Sequence, residues 1–261
     1  MIIDAHMHLG PIHQYYNYQL ALQDLLEVMD LLHIQYAISS HTAALLHGDL
    51  SLGIEESLRA YEFSGGRILS YHIFNPLIPG QCLKVMEQYP DRAVFKGIKI
   101  HPSWHGVPAD DERYEVVWQY AQDKQLVLLS HSWDISLTNP IQRYSYPALF
   151  ERHLARYPQV PFVFAHSGGR PNGIREAVRL GKVYRNAYFD TAGDIYHTRF
   201  VEYLDQTVGA DRILFGSDYS MMDPRQMLGV VLGAEIGLAA KAKILSGNAA
   251  RLFGIDVQGE I

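Results

Sequence analysis

The chain has 261 residues, 48% hydrophobic and 19% charged. That is the composition of a folded globular chain, long enough to bury a core unaided, and it excludes a disordered one. Lys and Arg number 22 against 28 Asp and Glu, a net charge of −6, so no basic excess exists to neutralise phosphates and no nucleic-acid partner is expected. The single cysteine, Cys82, excludes an internal disulfide framework and a cysteine-only zinc site.

The chain opens Met-Ile-Ile-Asp-Ala-His-Met-His, without a basic n-region or an apolar h-region. No run of roughly 18 apolar residues follows that could span a bilayer. A cytoplasmic protein with no membrane partner is the expectation. Short apolar, β-branched runs then recur at residues 2–6, 35–40, 67–73, 94–100, 126–130, 161–165, 187–190 and 212–216. Their starts lie 25 to 35 residues apart, room for one strand, one helix and two loops. Helical spacing of apolar residues fills the gaps, as at 20–32, 114–121 and 174–183, and Gly, Pro and Asn mark the breaks. Asp110-Asp111-Glu112 reads as a helix N-terminus, with acids complementing the dipole. A last helix is predicted over 241–253, capping the barrel. Eight strand–helix units without a long linker predict an α/β fold, one distorted (β/α)8 barrel over residues 1–261 with an extra C-terminal helix. A doubly wound open sheet is the competing architecture.

Polar residues gather at the carboxyl ends of these strands, where barrels of this kind build their sites. Strand 1 ends Asp4-Ala5-His6-Met7-His8, and strand 4 ends Lys99-Ile100-His101-Pro102. Strand 5 ends Ser130-His131-Ser132-Trp133, strand 6 Ala165-His166-Ser167-Gly168-Gly169, strand 7 Phe189-Asp190, and strand 8 Gly216-Ser217-Asp218. His6 and His8 are two apart, so on a strand they share a face and can reach one ion at the barrel mouth. Asp4 has the same parity but lies deeper. Neutral imidazole and carboxylate donors suit Zn²⁺, Fe²⁺ or Mn²⁺.

Asp4-x-His6-x-His8, Gly97-Ile98-Lys99-Ile100-His101-Pro102, Ala165-His166-Ser167-Gly168-Gly169, Leu214-Phe215-Gly216-Ser217-Asp218 and Gly247-Asn248-Ala249-Ala250-Arg251-Leu252-Phe253-Gly254 together resemble the motifs of the amidohydrolase superfamily. The likeness is to the amidohydrolase-related branch that also contains metal-dependent decarboxylases, and it runs from residue 2 to 254. It implies a metal held by His6, His8, His131 and Asp218. It also implies that His166 ligates a second metal or hydrogen-bonds the water and the substrate oxygen. Lys99 lies near the place of the lysine that two-metal members carboxylate. One divalent ion, zinc above others, is the favoured expectation, with a second metal as the competing one.

From that resemblance follows a division of labour. Asp218 takes a proton from the attacking water and passes it to the leaving group, and His166 stabilises the oxyanion or orients the water. Asp190 or Asp4 is expected to hold the second nitrogens of the ligating histidines. Lys99, His101 and Arg170 are candidates for substrate binding, Arg170 through its fork on a carboxylate. Lys99 could equally pair with a carboxylate in the mouth, and His101 could only satisfy a turn. Arg143, Trp104, Trp133, Tyr144 and Tyr146 are further candidates for the pocket wall, as are His41 and His72. Tyr15, Tyr16 and Tyr18 read as a lid or loop packing feature. Cys82 reads as structural, and His13, His33, His47, His105, His153 and His197, in loops or helices, are not expected to be ligands.

The function expected is metal-dependent hydrolysis of an amide, ester or lactone in a small polar substrate. The rival is non-oxidative decarboxylation of an unsaturated or aromatic acid on the same scaffold. Behind these two stand a metal-free lactonase and a non-catalytic binding barrel. A homodimer is possible.

Overall fold

The computed structural model describes residues 1–10, 21–195 and 197–256. Eight strands form one parallel sheet in sequence order. They are β1 (Ile2–Leu9), β2 (Ile34–His41), β3 (Ile68–Ile73), β4 (Phe95–Ile100), β5 (Val127–His131), β6 (Phe162–Ala165), β7 (Ala187–Asp190) and β8 (Ile213–Leu214). Helices separate them, and the ends of the sheet meet: Ala5 N–H donates to the Phe215 carbonyl at 2.9 Å, and Asp218 N–H to the His6 carbonyl at 2.8 Å. The fold is the expected (β/α)8 barrel. The runs of Val, Ile, Leu and Phe read as strands because a parallel strand is covered on both faces.

Two strands depart from the expected limits, and both departures shape the mouth. β1 runs on to Leu9, so His8 lies inside the strand. It also carries an irregularity: Asp4 pairs with Ala37 but Met7 with Ser39, one extra residue on β1. Ile3 and Ala5 therefore pack in the barrel interior with Val127, Val163 and Leu214. Met7 and Leu9 pack outward against Leu25 and Met29 of the helix Leu22–Leu31. β8 is only two residues long and gives way to irregular chain, which carries Asp218 with φ +63°.

The predicted final helix is present and longer than expected. Its turns run from Leu238 to Phe253, with a wider-wound turn at Lys243–Gly247. It closes the floor of the barrel. Phe253 and Ala249 join the interior cluster, Phe253 meeting Tyr71 edge-on at 5.9 Å. Asn248 Nδ2 donates to the carbonyls of Ala210 and Ile213. Asp111 caps the turn that leads into the helix Glu115–Lys124, accepting from Arg113 N–H at 3.0 Å. Cys82 is buried in the helix Pro79–Gln88, where its sulfur accepts from Asn75 N–H. Among the described residues no helix is long and apolar enough to cross a membrane.

Candidate active site

A cavity of about 250 Å³ opens at the carboxyl ends of the strands, with His8, His166 and Asp218 on one side and His101, His131 and Gln142 on the other. On the β1 side the imidazoles are aimed by bonds to their rear nitrogens. His6 Nδ1–H donates to Asp190 Oδ2 at 2.9 Å, so Nε2 keeps its lone pair. His8 Nδ1 meets Ser40 Oγ at 3.0 Å. A hydroxyl can donate or accept, so Ser40 serves either tautomer of His8, whereas Asp190 fixes that of His6. Asp218 Oδ1 stands 3.0 Å from His8 Nε2 and 3.7 Å from His6 Nε2. Gly216 permits this approach: a side chain there would bring a Cβ within 2.9 Å of the His6 Cβ.

The expectation divides between the two candidate carboxylates. Asp190 holds a ring nitrogen, and also accepts from His166 N–H at 2.7 Å. Asp4 does not. Its oxygens accept from the Ser217 backbone and hydroxyl and from His6 N–H, which ties β1 to the segment after β8. Burial pushes the Asp4 carboxyl up to about 7 and the Asp190 carboxyl up to about 6, against the hydrogen bonds that favour their ionised forms. Burial alone would also raise Asp218, but the neighbouring His166 and the His8 bond hold it well below the usual carboxylate range.

Lys99 is fully buried and its Nζ lies 2.9 Å from His6 Nε2. Burial lowers its ammonium to about 8, opposed by Asp218 and Asp190. His166 stands just beyond β6 with φ +60°. Its Nδ1–H donates to the Ala192 carbonyl at 3.0 Å, which leaves Nε2 as the open nitrogen. Gly193, at φ +92°, lets that loop pass beneath the ring: a Cβ there would lie 2.6 Å from His166 Nδ1.

The opposite wall is a pile of planar groups. Trp104, His101 and His131 stack nearly parallel at 3.9 and 4.0 Å, and Trp133 continues the pile at 5.8 Å from His131. The Arg170 guanidinium lies 4.8 Å from the Trp133 ring and bonds Asp194 Oδ2 at 2.6 Å. It is thus tied into the wall and does not line the cavity. His101 Nδ1 accepts from Trp104 N–H at 3.2 Å, the turn-capping role, while its ring lines the cavity. Burial keeps both His101 and His131 well below the ordinary imidazole range, with neighbouring histidines adding to it.

The structure brings three of the four expected ligands together. One ligand atom each from His6, His8 and Asp218 lies within 4.8 Å of the others. Two imidazoles and a carboxylate, with one imidazole fixed from behind, fit a divalent metal ion. His131 stands apart from this group, its Nε2 bonded to Gln142 Oε1 at 2.8 Å. A second group, His6, His166 and Asp190, is equally close; there Asp190 is taken up by the rear nitrogen of His6 and by His166 N–H.

Of the wall candidates, Trp104 and Trp133 line the cavity. Arg143 lies over Tyr144 and neither reaches it, nor does Tyr146. His41 pairs with Glu56 at 2.6 Å and His72 with the Tyr89 carbonyl at 3.0 Å, both away from the cavity. His13, Tyr15, Tyr16 and Tyr18 lie outside the described residues. Sequence reasoning missed Ser40, Gln142 and Asp194. Ser40 had a usable signal, a small polar residue at the end of the strand beside β1.

The family model for amidohydrolases matches residues 3–255. No curated protein matches the chain. An uncharacterised TIM-barrel protein from Bordetella bronchiseptica superposes with a TM-score of 0.76 at 16% identity, covering 97% of this chain and 98% of that one. A dihydroxybenzoic acid decarboxylase from Polaromonas sp. JS666, solved with manganese and 2-nitroresorcinol, gives 0.73 at 16% identity over 97% of each chain. An amidohydrolase from Burkholderia multivorans with bound zinc gives 0.74 at 12% identity, covering 98% of this chain and 100% of that one. At such identities the structures share the fold, and the assignment rests on the family model: the chain belongs to the amidohydrolase family.

Proposed function

We propose that the protein is a zinc-dependent hydrolase that cleaves an ester, lactone or amide bond in a small, uncharged carbonyl substrate. The observation that carries this reading is the pairing of an aimed donor set with a cavity poor in free cations. Among the described residues lining the cavity there is no arginine, and the one lysine, Lys99, is fully buried beside His6. A cavity built to grip an acid would present a guanidinium fork; this one offers amides, ring edges and His166.

His6, His8 and Asp218 would hold the ion, with His131, bonded to Gln142, across the cavity from it. Such an ion, when bound, supplies Lewis acidity toward a carbonyl oxygen and acidifies water. Asp218, ionised beside the two imidazoles, accepts the proton of the attacking water and returns it to the leaving group. His166 Nε2 accepts a hydrogen bond from that water and so orients it; the Ala192 carbonyl holds the ring in the required tautomer. The stacked rings opposite exclude bulk water and favour a flat substrate.

Decarboxylation is the second reading, favoured by that same flat wall, which suits an unsaturated or aromatic acid. Asp218 or His166 Nε2 then takes up a proton from solvent water and passes it to the carbon that loses carbon dioxide. The deciding experiment offers the zinc-loaded protein a panel of aryl esters, lactones and anilides beside a panel of hydroxybenzoic and unsaturated acids. Release of acid from the first panel, abolished in Asp218→Asn, is expected. Carbon dioxide from the second with no turnover of the first overturns hydrolysis in favour of decarboxylation.

A further inference from the structure

One polar group on the β5 side has no part in the chemistry above: the side-chain amide of Gln142. Its Oε1 accepts from His131 Nε2–H at 2.8 Å and from the Ser103 hydroxyl at 3.2 Å. The Ser103 hydroxyl lies 2.7 Å from Ser145 Oγ, which accepts from the Ser103 backbone N–H at 3.0 Å. Ser145 is fully buried, and among the described residues Ser103 Oγ is the one acceptor within reach of its hydroxyl, so the Ser145 O–H donates there and the series has a direction. It runs from Ser103 N–H to Ser145 Oγ, from Ser145 O–H to Ser103 Oγ, and from Ser103 O–H to Gln142 Oε1. Such a directed series decides which end of an amide is the oxygen. The other end, Nε2 with two N–H donors, has no hydrogen-bond partner among the described residues, and the side chain lines the cavity and is partly exposed there.

Gln142 follows β5, and β5 stands across an eight-stranded barrel from β1. The free amide and the His6–His8–Asp218 group therefore bound the cavity from opposite sides. We propose that Gln142 Nε2 donates a hydrogen bond to a substrate oxygen remote from the reacting carbonyl, so that the site selects flat molecules bearing a second oxygen acceptor. This rests on the reading of the cavity as a small-molecule site. The physical reason is selection by penalty. A substrate that enters expels the water solvating Nε2, and one without an acceptor there leaves the donor unpaired.

The test uses zinc-loaded protein, with benzoate and the three acetylbenzoates as probes. Each carries one carboxylate toward the ion; the 2-, 3- and 4-acetyl isomers add a neutral ketone oxygen at three spacings. At least one isomer is expected to bind about fivefold tighter than benzoate, the usual size of one net hydrogen bond to a neutral acceptor. The same isomer should shift the Gln142 side-chain amide resonances in a ¹H–¹⁵N spectrum, assigned by their absence in Gln142→Leu. Gln142→Glu keeps an oxygen for His131 and Ser103 but lacks the donor. It is expected to lose the acetylbenzoate advantage while holding the fold, read by circular dichroism. Ser145→Ala breaks the directed series and should reduce the advantage in part. The proposal is overturned if no isomer outbinds benzoate, if the advantage survives in Gln142→Leu, or if the amide stays unmoved. Probe binding of the expected kind with no turnover of either substrate panel leaves this inference standing and removes the proposed function. Turnover with unselective probe binding does the reverse.

Discussion

The two halves of the mouth are built on different principles. On the β1, β7 and β8 side nearly every polar atom has a directed partner: Asp190 behind His6, Ser40 behind His8, and Asp4 tying β1 to Ser217. On the β4 and β5 side each histidine has one hydrogen bond, His101 from Trp104 N–H and His131 to Gln142, and the rings are set face to face in a pile from Trp104 to Arg170. Hydrogen bonds fix which nitrogen is available, whereas stacking fixes a plane. The first half is suited to holding an ion and a proton, the second to shaping what lies beside them.

Substitutions in the two halves should therefore fail differently. The largest effect is expected in the His6→Ala/His8→Ala double variant: no retained ion by elemental analysis after purification without chelator, and activity at background. Wild-type protein that binds no divalent ion even after incubation with zinc would break the comparison outright. Asp190→Asn comes next. It removes the carboxylate behind His6, and metal affinity should fall about 10- to 100-fold by chelator competition. Trp133→Ala, in the other half, should leave metal affinity unchanged and raise KM about tenfold with little change in kcat, as expected for loss of uniform binding. Equal loss of metal in that variant would erase the distinction.

Lys99 stands between the halves, and its removal separates two roles. An imidazole nitrogen has one lone pair. Lys99 Nζ and a metal ion therefore compete for His6 Nε2, and Lys99→Met should bind zinc several-fold more tightly. If Lys99 instead carries a bridging carboxyl group, the variant loses an ion per chain.

The last expected effect lies outside the mouth and bears on stability alone. Burial lowers His72 to about 4 from an ordinary 6.5. The sign follows from linkage: the stability tied to the neutral ring is present above pH 6.5 and is lost as pH falls through 4. By pH 5 that amounts to about 2 kcal/mol. The raised Asp4 and Asp190 act in the opposite sense, so the readout is a difference. The change in unfolding free energy between pH 7 and pH 5, from urea titrations, should be less unfavourable in His72→Phe by about that amount.

The strands were legible in the sequence because buried parallel strands are continuous apolar runs, and each expected run overlaps an observed strand. The grouping of His6, His8 and Asp218 was legible from motif order and strand ends. Three things were not. The irregularity in β1 leaves no mark in residue type, so simple alternation placed Asp4 with the histidines instead of on Ser217. Arg170 looked like an open fork because Asp194, which ties it down, is 24 residues away in the chain. The same holds for Gln142, whose orientation depends on Ser103, 39 residues before it. Partners joined only by tertiary structure carry no local signal.

The closure of β1 on the segment after β8 has a consequence for the protein's birth. His8 and Asp218, which share the centre, are 210 residues apart in the chain. During synthesis the first two histidines emerge early and wait, exposed, for a partner that arrives near the end. The centre comes into being only as the ring shuts, so a truncated or stalled chain has the histidines but not the site. Metal capture would then mark closure of the ring, and occupancy would favour the closed ring over any opened form.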